Sequence, residues 1–492
     1  MSSQLRPFCR ALSSSSRRAS ARNLCRRHSS SKASSSRHNV AGVYSELPPP
    51  RLDYKSIADN LTFTIQNSIS RNAPVPQADI ESVAKLYNQA NELSKELNTR
   101  RHLQSLIGEK IRKAANDEER QKAKEEALAL KQEVHKLQAD LQSIETSYQA
   151  AALYIPNDTH PEVPIGPEPS ARVLATHGPA FVEADPKRDH VSVAKQLDLL
   201  DLESGATVTG SSWYFLKNEA ALLEMALTNY SMSIAMKHGF IPVTTPDVVR
   251  SDIAVRCGFQ PRDTGDALVS HMYHITPNHE SAPQLILSGT AEIPLAGMFA
   301  NKIHPEVDAT AEAGARSADT RGLYRVHQFT KVELFGVSTE AQSEEMMEEM
   351  KDIQIRILQG LNLHFRVLDM PSEELGASAY RKYDMEAWMP GRGSWGEVSS
   401  LSNCTDYQSR RLHIRYRPTE KKAEGADTRL PFAHTLNGTA AAIPRLIVAL
   451  LENGAVIGED GEVEALRLPL ALKPFWFAPE SRRINIEWEE QQ

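Results

Sequence analysis

Between Tyr324 and Glu333 the chain reads YRVHQFTKVE, with Arg325, His327, Phe329, Lys331 and Glu333 at every second position. On a strand, that spacing gathers cations, an aromatic ring and a carboxylate on one face. Arg325 offers a planar fork of donors suited to a phosphate. Phe329 offers a flat apolar surface for a purine, and Glu333 can accept from an ammonium or a hydroxyl. At about 3.3 Å per residue, Arg325 and Glu333 stand roughly 26 Å apart on a straight strand. Only an extended ligand, such as a bent nucleotide joined to an amino acid, reaches both. The same alternation also fits a solvent-facing strand of an antiparallel sheet.

Two later segments carry related chemistry. In WGEVSSLSNCTDYQSRR (Trp395–Arg411), strict alternation puts Glu397 and Ser399 on one strand face and Val398 and Ser400 on the other. The Glu397 carboxylate is the oxygen ligand that Mg²⁺ prefers. In HTLNGTAAAIPRLIVALLEN (His434–Asn453), small residues lead into an apolar helix with Pro444 in its first turn and Arg445 beside it. An arginine there opposes the helix dipole unless an anion is near, which points to a phosphate site.

The elements that must position these groups follow from periodicity. Ala127, Leu130, Val134, Leu137, Leu141, Ile144 and Tyr148 step by threes and fours, a coiled-coil seam. A looser seam runs through Leu86, Ala90, Leu93, Leu97, Ile107 and Ile111, and AANDEER (Ala114–Arg120) reads as a turn between the two. The expected result is an antiparallel helical hairpin over about 77–151, roughly 50 Å long. Arg100, Arg101, Lys110, Arg112 and Lys113 cluster toward its tip. Such charges suit either a solvated helix surface or a nucleic-acid backbone. Pro-rich IPNDTHPEVPIGPEPS (Ile155–Ser170) reads as a linker. Beyond it, long helices separate strands without regular βαβ alternation, which predicts an α+β domain on an antiparallel sheet. Neither a P-loop nor a Rossmann fingerprint occurs, so any nucleotide is held another way.

The first 40 residues contain nine Lys or Arg, many Ser and no Asp or Glu. That is the composition of a mitochondrial transit peptide, although a basic nucleic-acid-binding tail has it too. The whole chain carries net charge −7, so the remainder is near −16. A body that acidic repels nucleic acid on average and needs a local basic patch to bind it. Cys257 and Cys404 form no C-x-x-C pair, which argues against structural zinc and a disulfide framework. No apolar run reaches the roughly 18–20 residues of a membrane span. The expected division is a targeting segment over 1–42, an N-terminal domain over 43–155, a linker over 156–175 and a catalytic domain over 176–492.

GFIPVTTPDVV, DTRGLYRVHQFTKVELF and TLNGTAAAIPRLIVALLEN resemble, in order, motifs 1, 2 and 3 of class II aminoacyl-tRNA synthetases. ANELSKEL, IPNDTHPEVPIG, LSGTAEIPLAG and GEVSSLSNCTDYQSRR are similar to seryl-tRNA synthetases in particular. The resemblance implies an antiparallel catalytic sheet, a homodimer through motif 1, and a helical arm that grips tRNA(Ser). It implies activation of L-serine with ATP and Mg²⁺, then transfer to the tRNA 3′ end, in the mitochondrial matrix. By position it assigns ATP to Glu312, Arg325, Val326, Phe329, Glu397, Val398, Ser399, Ser400 and Arg445. Among these, Glu312, Arg325 and Arg445 are the catalytic set, and Glu397 with Ser400 is the metal pair. It assigns serine to Thr290, Ala291, Glu292, Glu333, Asn437 and Thr439, and tRNA to Arg100, Arg101, Lys110, Arg112 and Lys113. The pattern departs at Thr310, where the family has arginine, and the apolar strand expected before Glu312 is too short. The alternative this leaves is a tRNA-binding paralogue, impaired in catalysis, on the same fold.

Overall fold

The computed structural model describes residues 47–259, 272–276, 279, 282–305, 309–314, 322–418, 429–477 and 484–491. The basic leader lies outside the described residues.

The seams become two long helices, α1 (Gln77–Lys113) and α2 (Asp117–Ala152), packed antiparallel. The turn has its own capping chemistry. Asn116 accepts from the Glu119 amide at 2.8 Å, and Glu119 reaches back to the Ala115 amide at 3.2 Å. Ala90, Leu97, Leu130, Val134 and Tyr148 are buried along the seam. At the root, Tyr54, Tyr87 and Tyr148 pack ring to ring. The Pro-rich segment is pinned to the body: the Asn157 amide donates to Ser378, Cys404 and Thr405, and Arg71 donates to the carbonyls of Asp158, Gly376 and Ala379.

The body is built on an eight-stranded sheet. Its strands are β1 (Arg172–His177), β2 (Ile241–Pro242), β3 (Ala309–Gly314), β4 (Lys331–Ser338), β5 (Phe365–Asp369), β6 (Arg381–Met389), β7 (Ser394–Asn403) and β8 (His434–Ala442). Their order is β1-β5-β6-β7-β8-β4-β3-β2, antiparallel except for the β2–β3 edge. Three helices, α3 (Asn218–Lys237), α5 (Ser343–Gly360) and α6 (Ile443–Gly454), cover one face; α4 (Glu292–Phe299) lies against the other. The β4 strand shows why both faces are needed. Val332 and Leu334 enter the larger core, and Phe335 and Val337 enter the smaller one. Glu333 stands on the side of Phe335 and is buried.

Three local expectations change. The alternating segment is a strand only from Lys331; residues 322–330 form turns and isolated bridges. Gly322 has φ +59°, and a Cβ there would lie 2.5 Å from His190 Nε2. Ladder partners are replaced by anchors: His327 N–H donates to the Ser212 carbonyl, and Ile443 N–H donates to the Thr330 carbonyl. Second, Ala309–Gly314 does form a strand despite its weakly apolar sequence, pairing antiparallel with β4. Ladder bonds are made by backbone groups, so small side chains suffice there. Third, the β6–β7 register slips between Met385/Ser399 and Glu386/Glu397, leaving Val398 as the extra residue of a bulge. Ser399 is buried, while Glu397 and Ser400 are both partly open. The bulge therefore puts Glu397 and Ser400 on one face, where strict alternation separates them.

Candidate functional site: two adjoining polar cavities

Two cavities open on the sheet. The larger, about 780 Å³, is lined by Tyr324, Arg325, Lys382, Asp384, Glu386, Arg392, Glu397 and Arg445, with others. The smaller, about 360 Å³, is lined by Cys257, Phe259, Glu292, Lys382, Ser402 and Asn437, with others. Both share Lys382 and Glu374, so they adjoin.

Arg445 stands in the first turn of α6, as its sequence position requires. Its Nη1 donates to the Glu397 carbonyl at 3.0 Å and pairs with Glu397 Oε2 at 3.1 Å. Burial alone would raise the Glu397 carboxyl, but the Lys382 ammonium and the Arg445 guanidinium outweigh it and hold it below the usual carboxylate range. Arg445 also lies over the Tyr324 ring, 4.8 Å from its centroid, and Arg392 lies over the same ring at 3.8 Å. That ring passes so close to β7 that a Cβ on Gly396 would lie 2.8 Å from it. Arg325 is exposed in the same cavity. The guanidiniums of 325, 392 and 445 line this cavity wall together with the carboxyl groups of 384, 386 and 397.

Backbone anchors hold this wall. Glu452, fully buried in α6, accepts from His190 Nδ1 at 3.0 Å, Gly391 N at 2.8 Å and Arg392 N at 3.1 Å. His190 Nε2 in turn faces the Leu323 amide at 3.4 Å. One helix thus fixes Arg445 directly, and Tyr324 and Arg392 through their backbones.

Toward the smaller cavity, Lys331 Nζ pairs with Glu333 at 2.5 Å and donates to Thr290 Oγ1 at 2.8 Å. Thr439 sits opposite Glu333 in the β4–β8 ladder, and its hydroxyl lies 3.4 Å from Ser400 Oγ. Glu292 accepts from Gln408 at 2.5 Å. Its carboxyl is pushed up to about 7, first by burial and then by the Glu333 carboxylate. Asn437 donates to Cys404 Sγ at 3.4 Å. Ala291 and Thr290 are buried in the turn that opens α4.

The structure thus brings together Arg325, Glu397 and Arg445, and separately groups Thr290, Glu292, Glu333, Asn437 and Thr439. Val326, Val398 and Ser399 are buried, so only their backbones are available to a ligand. Phe329 is not brought to the cavity of Arg325. It lines a third cavity of about 650 Å³ with Trp213 and Phe215, because the chain leaves strand geometry before Lys331. Glu312 stands opposite Leu334 in the β3–β4 ladder; its side chain lies outside the described residues. Tyr324, Lys382 and Arg392 were missed by the sequence reading. Only Lys382 had a local signal: it alternates with Asp384 and Glu386 on β6.

On the arm, Arg100 is paired with Glu96 at 3.3 Å and Glu133 at 3.6 Å, and Lys113 with Glu109 at 3.7 Å. Arg112 donates to the Gly108 carbonyl at 3.3 Å. Arg101 and Lys110 are exposed without a carboxylate partner among the described residues.

Comparison with known proteins agrees with this architecture. Residues 311–454 match the class II tRNA synthetase core domain (G, H, P, S and T), and residues 52–159 match the seryl-tRNA synthetase N-terminal domain. The chain is 39% identical over 440 residues to the serine–tRNA ligase of Treponema denticola, covering 86% of this chain and 98% of that one. It is 39% identical over 435 residues to the mitochondrial serine–tRNA ligase of Schizosaccharomyces pombe, covering 86% and 88%. Among solved structures, seryl-tRNA synthetase from Pyrococcus horikoshii complexed with ATP superposes with a TM-score of 0.76 at 30% identity, covering 86% of this chain and 98% of that one.

Proposed function

The chain belongs to the serine–tRNA ligases, the seryl-tRNA synthetases of class II, and we propose that its two adjoining cavities hold the two reactants of the first step. ATP takes the larger cavity and L-serine the smaller. The observation that carries this reading is the pairing of Arg445 with Glu397 in the cavity that Arg325 also lines, next to one holding Glu292 and Asn437.

Adenylate formation needs charge neutralisation and alignment more than covalent help. Arg325 and Arg445 neutralise the triphosphate. Glu397 and Ser400 would hold Mg²⁺: the carboxylate is kept ionised, both offer oxygen, and the bulge places them on one face. When bound, the ion polarises phosphate oxygens. Glu292 faces the serine ammonium. Thr290, Glu333 and Thr439 supply buried polar groups that a substrate hydroxyl can join and an alanine methyl cannot, which supports discrimination of about 10⁴–10⁵-fold.

The helical arm would lie along the tRNA(Ser) backbone, read by shape and phosphate contacts. The second step passes serine from the adenylate to the tRNA 3′ end. Exposed Met225, Met236 and Ile241, around the motif 1 segment, suit a homodimer interface. Among the described residues no helix is long and apolar enough to cross a membrane. The leader's composition and the mitochondrial relatives favour the mitochondrial matrix.

The test is serine-dependent exchange of labelled pyrophosphate into ATP, followed by seryl-tRNA formation, with the full chain. Exchange that requires serine and is silent with alanine supports the reading. Salt-sensitive tRNA binding without any exchange supports the impaired-paralogue alternative instead.

A further inference from the structure

We propose that Lys382 is a catalytic residue of serine activation, the cation placed where the serine carboxylate meets the α-phosphate of ATP. The proposal rests on the assignment of ATP and serine to the two cavities. Lys382, on β6, is the cation among the described residues that lines both of them. It is also the only cation among the described residues lining the smaller one. Its side chain is 20% exposed, enough to be reached but not to swing free.

The neighbouring cations stand elsewhere: Arg445, like Arg325 and Arg392, lines only the larger cavity. Lys331 is bound to Glu333 and Thr290. Position 310 is threonine and offers no charge. Lys382 Nζ donates to Asp384 Oδ2 at 2.6 Å, and Asp384 is buried. An ammonium has three donors, so one bond to Asp384 aims the group and leaves two for ligands.

The chemistry calls for a cation at this junction. A serine carboxylate oxygen attacks the α-phosphorus, and a new P–O bond forms. The bond from that phosphorus to the oxygen bridging the β-phosphate breaks, and its electron pair leaves with pyrophosphate. Two anions must approach one another, and charge builds on the non-bridging α-oxygens. A donor preorganised against both anions lowers that barrier.

A bland reading competes: Lys382 and Asp384 are a structural ion pair. Three variants of the full chain separate the two: Lys382→Met, Lys382→Arg, and Lys382→Met combined with Asp384→Asn. Lys382→Met is expected to lower kcat of pyrophosphate exchange by about 10²–10³-fold, the loss typical of one transition-state donor. Lys382→Arg recovers much of it. Adding Asp384→Asn restores the melting temperature but not exchange. Full recovery of exchange in the double variant, or a kcat within a few-fold for Lys382→Met, overturns the proposal. Binding of 5′-O-(N-seryl)sulfamoyl adenosine, an uncleavable analogue, reads the same site without turnover. Lys382→Met should weaken it by more than about tenfold, and unchanged affinity also overturns the proposal. Absence of exchange in the unaltered chain defeats the functional reading separately, while the analogue affinities still decide the role of Lys382.

Discussion

Arg445 Nη1 contacts Glu397 twice, at its backbone carbonyl (3.0 Å) and its carboxylate (3.1 Å). An arginine in the first turn of a helix opposes the dipole, and here a carboxylate offsets that cost while leaving the guanidinium at the cavity wall. Its donor fork outnumbers these two contacts, so it can hold a phosphate and Glu397 together. Arg445→Ala should lower pyrophosphate exchange by about 10²–10³-fold. Thermal unfolding should show that the fold survives. Arg445→Lys should rescue little, because an ammonium cannot reproduce the bidentate geometry. Equal exchange rates for all three proteins would remove Arg445 from the site.

Glu292 gives a pH signature. Its carboxyl rises from an ordinary 4.5 to about 7, through burial and the Glu333 carboxylate, against the Gln408 hydrogen bond and the Lys331 ammonium. Between those two values the unfolded chain has lost this proton and the folded chain keeps it. The folded state therefore loses stability as pH rises from about 4.5 to about 7, and the loss levels off above that. Glu292→Gln should remove that part of the slope in denaturant titrations at pH 5 and pH 7.5. The same proton matters for substrate: an ammonium binds the ionised form. KM for serine should fall as pH rises through about 7 in the unaltered protein, and a flat profile would count against Glu292 as the ammonium partner.

The sequence disclosed what repeats or abuts, and hid what depends on one slipped residue. The arm was readable because its seam recurs over many turns, and every seam position is buried or half-buried. The faces of β7 were misread because one extra residue, Val398, swaps which side Ser400 joins. The alternation from Arg325 to Phe329 is real in sequence, yet that stretch bonds to Ser212 and Ile443 rather than to a ladder. Lys382 and Arg392 gave no motif because their importance comes from where β6 and its turn meet other strands.

Glu452 tests the scaffold rather than the chemistry. It is buried, and it accepts from the His190 ring and two consecutive amides. Glu452→Ala strands those donors and should cost about 3–5 kcal/mol of stability, as for other broken buried pairs. Glu452→Gln keeps an acceptor oxygen and should cost less. Urea midpoints measured at constant slope give both values. If Glu452→Ala unfolds at the unaltered midpoint, the network does not anchor the wall.

The arm's charges are not equivalent, which gives the sharpest test of tRNA binding. Arg100 and Lys113 are engaged by glutamates on the hairpin, whereas Arg101 and Lys110 project without such partners. A phosphate must displace Glu96 and Glu133 to use Arg100, but meets Arg101 directly. Arg101→Ala and Lys110→Ala should each weaken tRNA binding and lower the slope of log affinity against log salt by about one. Arg100→Ala should change both less. None of the three should alter serine-dependent exchange, because no residue of α1 or α2 lines either cavity. Equal salt slopes for Arg101→Ala, Lys110→Ala and the unaltered chain would mean that the backbone of the tRNA does not pass over this part of α1.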